Sequence, residues 1–249
     1  MGTLFLVSHL DFARSFEGEP ENATPESIAR WLRGNWLNRR GGGVWNYLSA
    51  MDVMVLAFQG QISQEQALAH CAQYWHPRGR IENEHIVRCI WSYTQANRSR
   101  VYRRPHLAAP IGRWNGRNIH IGIRAPLIRV TDSDMYAVMP VFRKNFAPND
   151  KETNLALTAV REFCFREGYR DIGTELIRAQ GQSGTLTRRL IVDQSSGRNL
   201  YSAAQFDSYA AKYASAVALL ADAGLGLQEP NFRGYRVWDP DQPSFGGGF

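Results

Sequence analysis

The sequence predicts an α+β protein in which a mainly helical amino-terminal part precedes a mixed α/β core. Three observations carry that expectation. Residues 24–97 repeat apolar positions at helical spacing between recognisable caps. From Ile119 onward, short β-branched runs alternate with two amphipathic helical stretches. Between them, residues 101–118 are basic, polar and broken by Pro and Gly, as an inter-domain arm is. The expected division is therefore a mainly helical subdomain over 1–100, a basic linker or arm over 101–118, an α/β domain over 119–239 and a flexible tail over 240–249.

TLFLVSHLDF reads as a first strand, followed by the acidic turn EGEPEN. Thr24 then caps a helix with Pro25 at its first position, where the missing N–H costs nothing. NRRGGGVWNYL is a basic glycine loop running into a second helix, Val44 to Phe58. Ser63 with Gln66 three residues later is a capping-box start for a third. HPRGR reads as a turn before a fourth helix, Glu82 to Tyr93. The helical stretch from Ile62 to Gln95 resembles small modules that accompany primases and plasmid replication initiators, which implies a nucleic-acid context. IHIGIRAPLIRV and MYAVMPVFRK read as a strand pair joined by TDSD. DKETNLALTAVREFCFREG is a helix with early acids and a glycine stop, and GTELIRAQ and TLTRRLIVDQ are strands around GQSG. SAAQFDSYAAKYASAVALLADAG is the longest helix, and YRVW adds a short strand.

Composition bounds the class. A chain of 249 residues, 44% apolar and 21% charged, can bury a full core. No apolar run approaches the ~20 residues that span a bilayer, so no membrane partner is expected. MGTLFLVSHL has neither the basic region nor the cleavage site of a signal peptide. Three scattered cysteines make no disulfide framework, and a reducing, cytoplasmic location is the expectation.

Charge points to a partner. Of 29 basic residues only Lys144, Lys151 and Lys212 are lysine; the rest are arginine. Between Arg78 and Arg129 eleven arginines face two acids, Glu82 and Glu84. Such a bias suits a polyanion, because phosphate contacts set nucleic-acid affinity and the guanidinium fork matches phosphate. Arg78, Arg80, Arg98, Arg100, Arg103, Arg104, Arg113 and Arg117, with Arg39 and Arg40 of the glycine loop, are the expected backbone grips for DNA or RNA. Trp114 and Tyr102 sit among them as base-stacking residues. A solvated basic face is the plainer explanation of the same charges.

One constellation carries possible chemistry. Gly173-Thr174-Glu175 enters one strand, Asp193-Gln194-Ser195 closes the next, and Gln205 and Tyr209 lie four apart on the following helix. In that order they resemble the RecB-type branch of the PD-(D/E)XK, restriction-endonuclease-like superfamily. The resemblance covers the carboxy-terminal half. It implies a restriction-endonuclease-like core and a Mg²⁺- or Mn²⁺-dependent nuclease site, with Glu175 and Asp193 as metal ligands. Oxygen ligands suit such a cation, which would activate water and stabilise charge on phosphate. The chain departs from the pattern by having Glu for the first acid and Ser195 where the family has lysine. Lys212 on the last helix is the available substitute, and Glu162 is a further acid within reach of a metal. A second metal-ligand spacing, Cys71, His76, His85 and Cys89, could in principle hold zinc. It matches no common signature, and a buried cysteine in each of two packed helices explains it more simply.

The expectation is thus a nucleic-acid-binding protein with an inactive nuclease-like domain, working with other proteins in a bacterial or phage replication, defence or mobile-element assembly. The alternatives are a working metal-dependent nuclease using Glu175, Asp193 and Lys212, and a structural subunit whose arginine face meets acidic protein.

Overall fold

The computed structural model describes residues 3–37, 46–125, 127–144, 146–166, 168–169, 171–181 and 187–238. Arg39, Arg40 and the tail 240–249 lie outside the described residues.

The fold is α+β, built on two sheets. The first has the order β1 (Leu6–Ser8), β4 (Arg117–Ile123), β3 (His106–Trp114), β9 (Tyr235–Val237). The second has the order β2 (Arg100–Arg103), β5 (Leu127–Val130), β6 (Met135–Val141), β7 (Gly173–Gly181), β8 (Arg188–Gln194). β6 and β7 are parallel and are joined through α6 (Asp150–Arg166), as a parallel pair requires. β7 and β8 are an antiparallel pair, and α7 (Ala203–Asp222) follows. The expected helix–strand–strand–helix order of the carboxy-terminal half is therefore present.

Apolar side chains on the two faces of the second sheet build two cores. Ala137, Met139 and Leu176 face the first core, with α6, α7, α1 (His9–Arg14) and α2 (Pro25–Trp31). Val138, Ile177 and Ala179 face the second, which is covered by α3 (Leu48–Phe58), α4 (Gln64–Ala72) and α5 (Pro77–Ala96). The period-two alternation of β6 and β7 thus sorts their side chains between two helical layers.

Residues 1–100 do not pack as one helical unit. β1 pairs with β4 in the first sheet, α2 and α1 lie in the core with α7 and α6, and α3–α5 pack on the far side of the second sheet. Nor is 101–118 an arm. Its residues form most of β2 and β3 and the start of β4. Asn115 and Gly116 both have positive φ, 44° and 78°, and form the two-residue turn of the β3–β4 hairpin. The Pro and Gly residues mark a turn and a bulge, found between Pro110 and Gly112, rather than a linker.

The caps expected at Thr24 for α2 and at Ser63 with Gln66 for α4 form, Ser27 completes the first, and Ser202 with Gln205 makes a further capping box on α7. α5 starts earlier than expected: His76 caps it and Pro77 takes the first position, so HPRGR is the helix start. No described helix is long and apolar enough to cross a membrane.

Candidate functional site

Register decides what the expected carboxylates can do. Glu175 lies opposite Gln194, whereas Asp193 lies opposite Leu176. Directly opposed residues of an antiparallel pair share a face, and neighbours in one strand do not. Glu175 and Asp193 therefore point to opposite faces of the sheet and cannot share one Mg²⁺ or Mn²⁺.

Each acid is held by arginine instead. Glu175 is fully buried on the α5 side. Its Oε2 accepts from Arg129 Nη2 at 2.7 Å and from Gln194 Nε2 at 2.8 Å. The Arg129 guanidinium is itself buried, 4.7 Å from the centre of the Tyr136 ring and 5.6 Å from that of Phe58. Burial, reinforced by the Glu175 carboxylate, holds the nearby Tyr93 phenol above its ordinary pKa. On the other face, Asp193 Oδ2 accepts from Arg178 Nη2 at 2.6 Å and Nε at 3.1 Å. Its Oδ1 accepts from Arg198, whose Nη1 also reaches Asp150 at 3.1 Å and Asn154 at 3.0 Å on α6. Arg129, Arg178 and Arg198 were not among the expected site residues. Arg178 could have been placed from sequence, since β7 alternation puts it on the face opposite Glu175.

The remaining motif residues serve the fold. Ser195 Oγ accepts the Thr174 backbone N–H at 3.0 Å, stitching the strands where the resemblance wants a lysine. Lys212 donates to the carbonyls of Pro20 at 3.1 Å and Glu21 at 2.9 Å and does not meet Asp193. Gln205 Oε1 accepts the Ser202 N–H at 2.9 Å as half of the α7 cap. Tyr209 packs edge-on to Tyr201 and Phe16, with ring centres 5.2 Å and 5.8 Å away. Glu162 pairs with Arg161 at 2.9 Å.

The zinc spacing does not converge. Cys71 is buried in the second core, where burial and then the Glu84 charge push its thiol up to about 12. His76 Nδ1 accepts the Gly79 N–H as the α5 cap. Among the described residues, no three His, Cys, Asp or Glu side chains are placed to hold an ion.

The arginines divide into three sets rather than one belt. Arg129 is buried, as described. Arg103 pairs with Asp52 at 2.7 Å, Arg117 pairs with Glu229 at 2.8 Å, and Arg104 meets the ring and hydroxyl of Tyr169. Arg78, Arg80, Arg88, Arg98, Arg100, Arg113 and Arg124 are exposed. Of these, Arg98 bonds the neutral Gln95 and Arg113 the neutral Asn118. Trp114 is half-buried, donates to Asp222 at 2.7 Å and packs 6.0 Å from Phe5, which withdraws it from stacking. Tyr102 is half-buried against the first core.

Two open clefts flank the second sheet. One, of about 780 Å³, runs along edge strand β8 and is lined by Tyr93, Asn97, Asp150, Asn154, Asp193 and Arg198. The other, of about 730 Å³, runs along edge strand β2, where Gln59, Gln61, Arg98, Arg100 and Tyr102 line it with one acid, Asp132.

No protein-family model and no curated protein matches this chain. Among solved structures, one described as the crystal structure of SSO0001 is similar over 74% of this chain and 82% of that one. At 11% identity and a TM-score of 0.29, that likeness carries no argument.

Proposed function

We propose that this protein binds nucleic acid through exposed arginines, on a nuclease-like frame that does not cut. The observation carrying this reading is the pair Arg98 and Arg100, exposed in the β2-edge cleft with no acidic partner among the described residues. Guanidiniums not already neutralised can each displace a condensed counterion on meeting phosphate, which is where nucleic-acid affinity arises. The carboxylates support the second half of the reading. Glu175 and Asp193 are committed to arginines on opposite faces, and Ser195 stands where a catalytic lysine is wanted. A missing electrostatic group of that kind costs on the order of 3 kcal/mol in a barrier.

The test is a salt titration of binding by wild type and by Arg98→Ala with Arg100→Ala, on labelled duplex and single strands. The double variant is expected to bind more weakly, with the slope of log K against log salt shallower by about 0.9 per lost contact on duplex DNA. An unchanged slope would overturn the reading. So would retention on an acidic protein column without retention on nucleic acid, the behaviour of a structural subunit.

A further inference from the structure

Trp75 is 63% exposed, the highest exposure among the large apolar side chains of the described residues. It occupies the turn between α4 and α5, and that turn is tied down. Tyr74 lies beside it, with ring centres 6.0 Å apart, and the Tyr74 hydroxyl accepts the Asn46 N–H at 3.0 Å. Arg80 donates to the Tyr74 carbonyl, and the His76 ring, edge-on to Trp75 at 5.1 Å, caps α5. An indole left in water on a pinned turn is an unspent apolar plane, and ordering it on binding costs little entropy.

Positive charge follows that plane along the chain. Arg78 and Arg80 are exposed in the first turn of α5, which starts from the Trp75 turn. Positions 80, 84, 88, 91 and 95 share one face of α5, which brings Arg88 into line and ends at Gln95, the partner of Arg98. Glu84 is the acid on that stripe. At 1.5 Å per residue, α5 runs about 24 Å from Arg80 to Ala96, and Arg98 just beyond its end lines the β2-edge cleft.

The geometry points to a single-stranded nucleic-acid track along the outer face of α5, with a base stacked on Trp75 and its phosphates on Arg78, Arg80 and Arg88. It deepens the nucleic-acid reading above and rests on it. Single strands are the fitting ligand because stacking on a side chain needs an unpaired base with a free π-face, which a duplex keeps inside its own stack. A featureless polyanion would use the arginines and leave Trp75 idle.

The experiment measures affinity by fluorescence anisotropy for labelled oligothymidylate and oligouridylate, a duplex and heparin, using wild type, Trp75→Ala, Trp75→Phe and a variant carrying Arg80→Ala and Arg88→Ala. Trp75→Ala is expected to weaken both single strands by about five- to 150-fold, the worth of one stacked base, and to leave duplex and heparin unchanged. Trp75→Phe keeps most of the single-strand affinity, which shows that the ring is what matters. The arginine variant loses affinity for every polyanion. Equal single-strand affinity in wild type and Trp75→Ala overturns the track, and so does an equal loss on heparin. If Arg98→Ala with Arg100→Ala impairs nucleic-acid binding while Trp75→Ala does not, the track alone fails. If wild type retains no strand at low salt, both readings fail.

Discussion

Arg129 and Glu175 are each at least 98% shielded from solvent, so neither can turn to water if its partner is removed. Glu175→Ala leaves a buried guanidinium without its counter-charge, a change that costs about 3–5 kcal/mol. Replacing both by methionine removes the charges together and is expected to return most of that loss. Urea unfolding followed by circular dichroism measures both; a single variant as stable as wild type would show that the pair holds nothing. The residue scale is also where the sequence was least legible. Glu175, Asp193, Gln205 and Tyr209 match a motif, yet which face each takes depends on the register between β7 and β8. A shift of one residue would put the two acids on the same face, and nothing in GTELIRAQ or TLTRRLIVDQ specifies that shift. Gln205 and Tyr209 have a second explanation visible in the chain: Ser202 three residues earlier makes Gln205 a capping-box residue, and Tyr209 falls one turn inward.

Among the elements, β3 and α7 come close enough for one atom to matter. A Cβ added at Gly112 would lie 2.6 Å from Ala214 Cβ, well inside carbon–carbon contact. Gly112→Ala is expected to force the helix off the strand and cost about 1–3 kcal/mol, with Ala214→Gly restoring part of it. The midpoint of thermal unfolding reads this directly, and no change there would mean that β3 and α7 yield without strain. The helices were the most legible elements, because Thr24, Ser63 and Ser202 each carry their partner three residues on. Asn115-Gly116 was legible too, a strong two-residue hairpin signal inside a stretch whose basic character drew it toward a linker. For α5 the sequence predicts too late a start, because Pro77 and Gly79 resemble a turn. Pro at a first helical position and a capping His76 make the same letters a helix start.

Over the whole molecule, the arginine excess between Arg78 and Arg129 serves two ends that composition cannot separate. Arg129 neutralises a buried acid, and Arg103 and Arg117 fasten elements together through Asp52 and Glu229. Arg78, Arg80, Arg88, Arg98 and Arg100 remain exposed along α5 and the β2 edge. The sequence showed the excess; only folding sorts it, since an arginine's partner is set by contacts far along the chain. The proposed division of roles is that the exposed set meets phosphate while the carboxylates stay bound to arginine. It is tested most directly by incubating the wild-type protein with a labelled strand and Mn²⁺ across a range of salt, reading affinity and strand length from the same samples. The expected result is a linear fall of log K with log salt and a strand of unchanged length. A shortened strand, with shortening abolished by Asp193→Ala, would overturn that division, as would affinity indifferent to salt.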